Sequence, residues 1–137
     1  MKRIILKKYL LFFALFICLS CDPPHYIEFI NNGNSELNVK FEIDSTITNY
    51  DLEYIENRKK YLINIVIKEK DTAELHFGIG TWSDSEIEKL ANSLNKLTIE
   101  NKEFKTIYKS KKQIEKFLKL NRKERIGWET EIKIIVE

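Results

Sequence analysis

Leu37, Val39, Phe41 and Ile43 are separated one by one by Asn38, Lys40 and Glu42, with Glu36 ahead of them. Successive side chains of an extended chain point to opposite faces, so this period of two calls for a strand with one buried face and one wet face. The pattern returns near the end of the chain, where Thr130, Ile132, Ile134 and Val136 alternate with Glu129, Glu131 and Lys133. Strands wet on one side belong to antiparallel sheets, because parallel sheets are covered on both faces and read as unbroken apolar runs. The chain is thereby constrained first to a mainly antiparallel sheet.

Further strands follow from turn chemistry. Tyr26 to Ile30 is a short β-type run, and Asn31-Asn32-Gly33-Asn34-Ser35 behind it contains Asn-Gly, a strong hairpin signal. Tyr61 to Lys68 and Thr72 to Ile79 read as a second hairpin turning at Glu69-Lys70-Asp71, with Ala73, Leu75, Phe77 and Ile79 facing inward. Leu97 to Glu100 and Phe104 to Tyr108 flank Asn101-Lys102 as a third. Ile47 to Lys60 has no clean period and reads as loop, with a helical turn around Asp51 to Glu56.

Two helices are announced by their caps. Ser83 and Glu86 fit a capping box, in which the Ser hydroxyl accepts the Glu backbone N–H and the carboxylate reaches back. Trp82 and Ile87 suit a hydrophobic staple around it, and Ile87, Leu90, Ala91 and Leu94 recur at helical spacing. Ser110 and Gln113 repeat the box ahead of Ile114, Phe117 and Leu118. Two copies of a capping grammar fall short of a repeat protein, which needs about three units. The order is ββ-ββ-α-ββ-α-β, a single α+β domain over residues 26–137 built of hairpins, with both helices on one face of the sheet.

The first 20 residues do not read as part of that domain. Lys2, Arg3, Lys7 and Lys8 precede an apolar run of 11 residues, Tyr9 to Leu19, and then small Ser20. A membrane-crossing helix needs about 20 apolar residues, so residues 1–20 read as a signal peptide. The alternative, an uncleaved anchor helix from Ile4, must carry Lys7 and Lys8 within it. The end of the run, Leu19-Ser20-Cys21, resembles the lipobox of bacterial lipoproteins, with Cys18 standing where Leu is usual. The resemblance implies a thioether-linked diacylglyceryl group on Cys21, cleavage before it by the lipoprotein signal peptidase, and usually N-acylation. It implies a membrane-anchored protein on the periplasmic or cell-surface side of the envelope. Residues 21–25, with Pro23 and Pro24, then form a short tether. The layout beyond it is similar to that of small uncharacterised envelope lipoproteins of Gram-negative bacteria. That likeness rests on Asn-Asn-Gly-Asn, the Phe-Gly-Ile-Gly-Thr-Trp-Ser corner and the terminal Glu-Ile-Lys-Ile-Ile-Val, and it brings no activity, cofactor or site.

On this reading Cys18 leaves with the signal and Cys21 carries lipid, so the mature chain of 117 residues holds no free thiol for a disulfide, zinc site or nucleophile. Two or more acyl chains anchor stably where one does so marginally. The precursor is +2 and its leader holds four positive charges, leaving about −2 on the mature chain. That charge is uneven: Asp22 to Asn57 has eight acids against Lys40 alone, and Lys102 to Arg125 has ten bases against three acids. The two segments are expected to face each other or to lie on separate solvated faces. Lys109, Lys111, Lys112, Lys116 and Lys119 on the second helix would meet anionic headgroups if that helix turned toward the bilayer; nucleic acid is not an expected partner.

Signatures of catalysis are weak. Gly78-Ile79-Gly80 lies between a strand and a helix, where a dinucleotide fingerprint would be, but Ser83 replaces the third glycine and Asp84, Glu86 and Glu88 would repel a phosphate. A tight corner is expected instead. His25 and His76 are the only histidines, and Asp44 and Asp51-Leu52-Glu53 lack calcium-loop spacing, so no metal or cofactor is expected. Trp82, Trp128, Tyr50, Tyr54, Tyr61 and Tyr108 are assigned to core packing rather than to a ligand groove. Three functions stay open: a non-catalytic binding or scaffolding module of the envelope, an inhibitor or immunity-type lipoprotein that neutralises a protein toxin, and a small carboxylate-based hydrolase or transferase.

Overall fold

The alternation of residues 36–43 is strand β2 (Leu37–Ile43), whose Leu37, Val39, Phe41 and Ile43 are buried and whose intervening residues are half-exposed. The computed structural model describes residues 24–46, 58–59, 61–125 and 128–137. Residues 1–20, Cys21 and the expected turn around Asp51 to Glu56 lie outside them. Before β2 runs β1 (Pro24–Asn31), and after it come a two-residue strand β3 (Arg58–Lys59), β4 (Leu62–Ile67) and β5 (Thr72–Ile79). Helix α1 (Asp84–Asn92), strands β6 (Leu94–Glu100) and β7 (Lys105–Tyr108), helix α2 (Lys111–Asn121), and strands β8 (Arg122–Arg125) and β9 (Trp128–Val136) complete the chain.

The fold is a single α+β domain, mainly antiparallel, with two amphipathic helices, as expected. The strands are divided between two sheets, of order β5-β1-β9-β8 and β3-β4-β2-β6-β7, and only the β1–β9 pair is parallel. Phe29 of β1 meets Phe41 of β2 edge to face across the interior at 6.0 Å. α1 and α2 pack on each other, and α2 lies against β6 and β7 of one sheet and β9 of the other. Ile87, Leu90 and Ala91 of α1 and Ile114 and Leu118 of α2 join Ile27, Phe29, Val39, Phe41, Leu97 and Ile132 in one continuous core.

Two of the three expected hairpins are corners instead. β6 and β7 do pair directly, Leu97 opposite Tyr108. β1 and β2 do not pair, nor do β4 and β5: each connection carries the chain from one sheet to the other. A type I′ hairpin turn needs positive φ at both central residues, and Gly33 is not among the residues with positive φ. Asn31 decides the geometry. Its Oδ1 accepts the Gly33 N–H at 3.0 Å, an Asx-type turn, while its amide donates to the carbonyls of Ser35 (2.8 Å), Lys68 (2.9 Å) and Ile67 (3.2 Å). One fully buried side chain thus ties both corners together. In the second corner Lys70 takes the left-handed conformation at φ 58, and the Asp71 carbonyl accepts the Asn31 N–H.

The helix starts follow the sequence more closely. Ser110 and Gln113 form a complete capping box. At α1 the Ser83 hydroxyl accepts the Glu86 N–H at 3.2 Å, but the Glu86 carboxylate turns to Lys89 (2.6 Å) instead of reaching back, so only half the expected box is made.

Candidate functional site

β1 begins earlier than its apolar run: Pro24 and His25 are strand rather than tether, and His25 is buried on the same inward face as Ile27, Phe29 and Asn31. Only Asp22 and Pro23 separate Cys21 from the first strand residue. The structure around that end of β1 is therefore the part of the domain nearest the expected anchor. β5 ends there, Pro24 being opposite Ile79, and β9 starts there, parallel to β1. From Pro24 to Tyr26 the chain advances two residues while β5 advances three, from Ile79 to His76. The extra residue of this bulge falls at Gly78, whose φ of +88 suits glycine. Gly80 at φ +150 then bends the chain toward α1. Gly78-Ile79-Gly80 is thus the strand-to-helix corner that its flanking acids indicated.

Beneath the corner sits an aromatic group. The His25 ring packs edge-on against Trp82 at 4.7 Å and tilted against Phe77 at 6.1 Å, and Phe77 meets Trp82 at 5.0 Å. Trp82 is fully buried, and its indole N–H donates to the Tyr26 carbonyl at 2.9 Å. Neither ring nitrogen of His25 has a hydrogen bond of good geometry. Burial holds its pKa below the ordinary histidine value, against weaker opposing pulls from the Gly78 backbone and the Glu86 carboxylate.

Arg122, at the end of α2, closes this end of the molecule. Its guanidinium donates to the Trp82 carbonyl at 2.8 Å and to Asp84 at 2.9 Å, and lies 3.3 Å from Glu129. Lys119 reaches Asp84 at 3.2 Å and Glu115 at 2.8 Å. Lys119 and Arg122 together hold the Asp84 carboxyl below its usual range. The first residue of α1 therefore meets the last turn of α2, and the helices are antiparallel. None of this network is legible in local sequence, because Arg122 and Trp82 are 40 residues apart.

The lysines of α2 fall into two groups. Lys111 pairs with Asp44 at 3.7 Å and Lys119 with Asp84 and Glu115. Lys109, Lys112 and Lys116 are exposed and make no ion pair among the described residues. Lys112, Glu115, Lys116, Lys119 and Leu120 line an open depression of about 370 Å³. The Asp44–Lys111 contact also joins the acidic and basic segments of the chain. His76 pairs with Glu74 at 3.1 Å on the solvated face of β5, a surface pair with no third ligand. Of the aromatic residues assigned to the interior, Trp82 is in the core, Tyr108 is half-buried and stacked on Phe117 at 4.5 Å, and Tyr61 is exposed. No group of three or more potential metal ligands occurs among the described residues, and no helix among them is long and apolar enough to cross a membrane. No protein-family model, curated protein or solved structure matches the chain.

Proposed function

We propose that this protein is a lipoprotein of a bacterial cell envelope, anchored through a diacylglyceryl group on Cys21, whose folded domain is a non-catalytic binding module. The observation that carries the reading is the run from Lys2 to Cys21: a basic start, 11 apolar residues, Ser20 and then cysteine. It is supported by the nearness of Cys21 to the domain, since three residue steps separate it from Pro24 and an extended chain covers at most about 11 Å in that length. Lys109, Lys112 and Lys116, which make no ion pair among the described residues, supply the anion-seeking surface of such a module, for an acidic envelope partner. In cells fed labelled palmitate, the parent chain should take up label and Cys21→Ala should remain an unlabelled, uncleaved precursor. Label on the Cys21→Ala protein contradicts the reading.

A further inference from the structure

The corner Gly78-Ile79-Gly80 presents an isoleucine outward from the fold. Ile79 is 72% exposed and is flanked by two glycines at positive φ, and a side chain added at Gly78 would meet nothing within 4 Å. A single exposed apolar residue needs no explanation by itself. Position gives this one a meaning. Ile79 is the strand partner of Pro24, so their Cα atoms lie about 5 Å apart. Cys21 is within about 11 Å of Pro24 along the chain. An acylated Cys21 sits at the membrane interface, and the polar layer on each side of the hydrocarbon is only several ångströms deep.

Strand direction defines what else faces that way. β1 and β9 run away from the tether end, and β5 and β8 run toward it. Lys123 of β8, the edge strand on the far side of β9 from β1, is level with Glu131 and Tyr26 and is exposed. At the opposite end of the same sheet Ile135 is paired with Ile30 and is 52% exposed. Pro24 and Ile30 are six residues apart, about 20 Å of strand. The antiparallel helices sort the lysines as well. The last turn of α2 meets the start of α1, whereas Lys109, Lys111 and Lys112 stand at the other end of a helix of 11 residues, about 15 Å away.

We infer that the Gly78-Ile79-Gly80 corner is a membrane-docking point: Ile79 enters the interface of the bilayer that holds Cys21, with Lys123 on the opposite edge of the same sheet turned toward the same headgroups. This rests on the lipoprotein reading. It commits the domain to one orientation, with the β1 start down and Ile135, Lys109 and Lys112 directed away from the bilayer. Amphipathic surfaces held at an interface bury their apolar residues about 5–10 Å into it, and a tether of two residues keeps the Ile79 corner close to that layer.

The mature chain has no free thiol, so cysteines introduced singly take a fluorescent label cleanly. The full chain carrying Ile79→Cys, Ile135→Cys or, at an exposed position of β4 in the other sheet, Val66→Cys is expressed in a lipidating host, its acylation at Cys21 verified by mass, and reconstituted into anionic vesicles. A polarity-sensitive dye at position 79 should shift to the blue and be quenched by brominated lipid. The same dye at 135 and 66 should stay accessible to iodide. A dye at 79 that is open to iodide on a verified acylated chain overturns the docking point and leaves the lipoprotein reading standing. Shielding at 79 without quenching by brominated lipid also overturns it, in favour of a protein contact. An unacylated Cys21 overturns both.

Discussion

His25 and Asn31 lie on the same strand, on the same inward face, six residues apart, and both are buried. Asn31 spends its side chain on four backbone groups, two of them 36 and 37 residues away. His25 has no such bond and is held by the rings of Trp82 and Phe77. The buried polar side chain at one end of β1 is held by hydrogen bonds, and the one at the other end by ring packing. A buried polar group is costly when it loses its partners but nearly neutral to replace when it has none. The two ends should therefore answer substitution in opposite ways: the Asn31 end is a fixed structural corner, and the end beside the expected anchor tolerates change.

The largest effect should come from Asn31→Leu, which leaves the carbonyls of Ser35, Ile67 and Lys68 and the N–H of Gly33 without their partner. Urea unfolding of the protein in detergent should show a loss of about 3 kcal/mol, given about 1–3 kcal/mol for each buried group left unpaired. A loss below that of an ordinary surface substitution would mean that the corners hold without it.

At the other end, Gly78→Ala meets no steric obstacle but must keep φ +88. The backbone cost, about 1–2 kcal/mol, should appear in the same titration without any change in the far corner's amide exchange. Smaller again is the contrast between the caps. Ser110→Ala removes one half of a complete box and should cost about 1 kcal/mol. Glu86→Ala removes only an i,i+3 pair with Lys89, worth at most about 0.5 kcal/mol. Equal losses for the two would indicate that Glu86 completes its box in solution.

Sequence reading succeeded where physics is local and failed where it is not. The alternation in β2 was visible because its wet face is made of Asn38, Lys40 and Glu42, and the cap of α2 because Ser110 and Gln113 are three residues apart. Asn31-Asn32-Gly33 misled because an Asn-Gly loop looks the same whether the chain turns within a sheet or crosses between two. The deciding contacts, to Ile67 and Lys68, come from the second corner. His25 looks like tether in the sequence because Pro23 and Pro24 precede it and no apolar period includes it. Its burial depends on Trp82, 57 positions later, and on a bulge set by Gly78.

The most direct test compares His25→Phe with the parent at two pH values. Burial depresses the His25 pKa in the folded state, so the unfolded chain binds the proton more readily and stability rises with pH in that window. The His25 contribution is complete above about 6.5, the ordinary histidine value, and is lost as pH falls through the depressed folded value. His25→Phe should unfold within about 1 kcal/mol of the parent at pH 7.5, because an unpartnered polar ring is exchanged for an apolar one of similar shape. At pH 5.5 it should be the more stable of the two, with a flatter pH profile. A His25→Phe protein as damaged at pH 7.5 as Asn31→Leu would contradict the contrast between the two ends of β1.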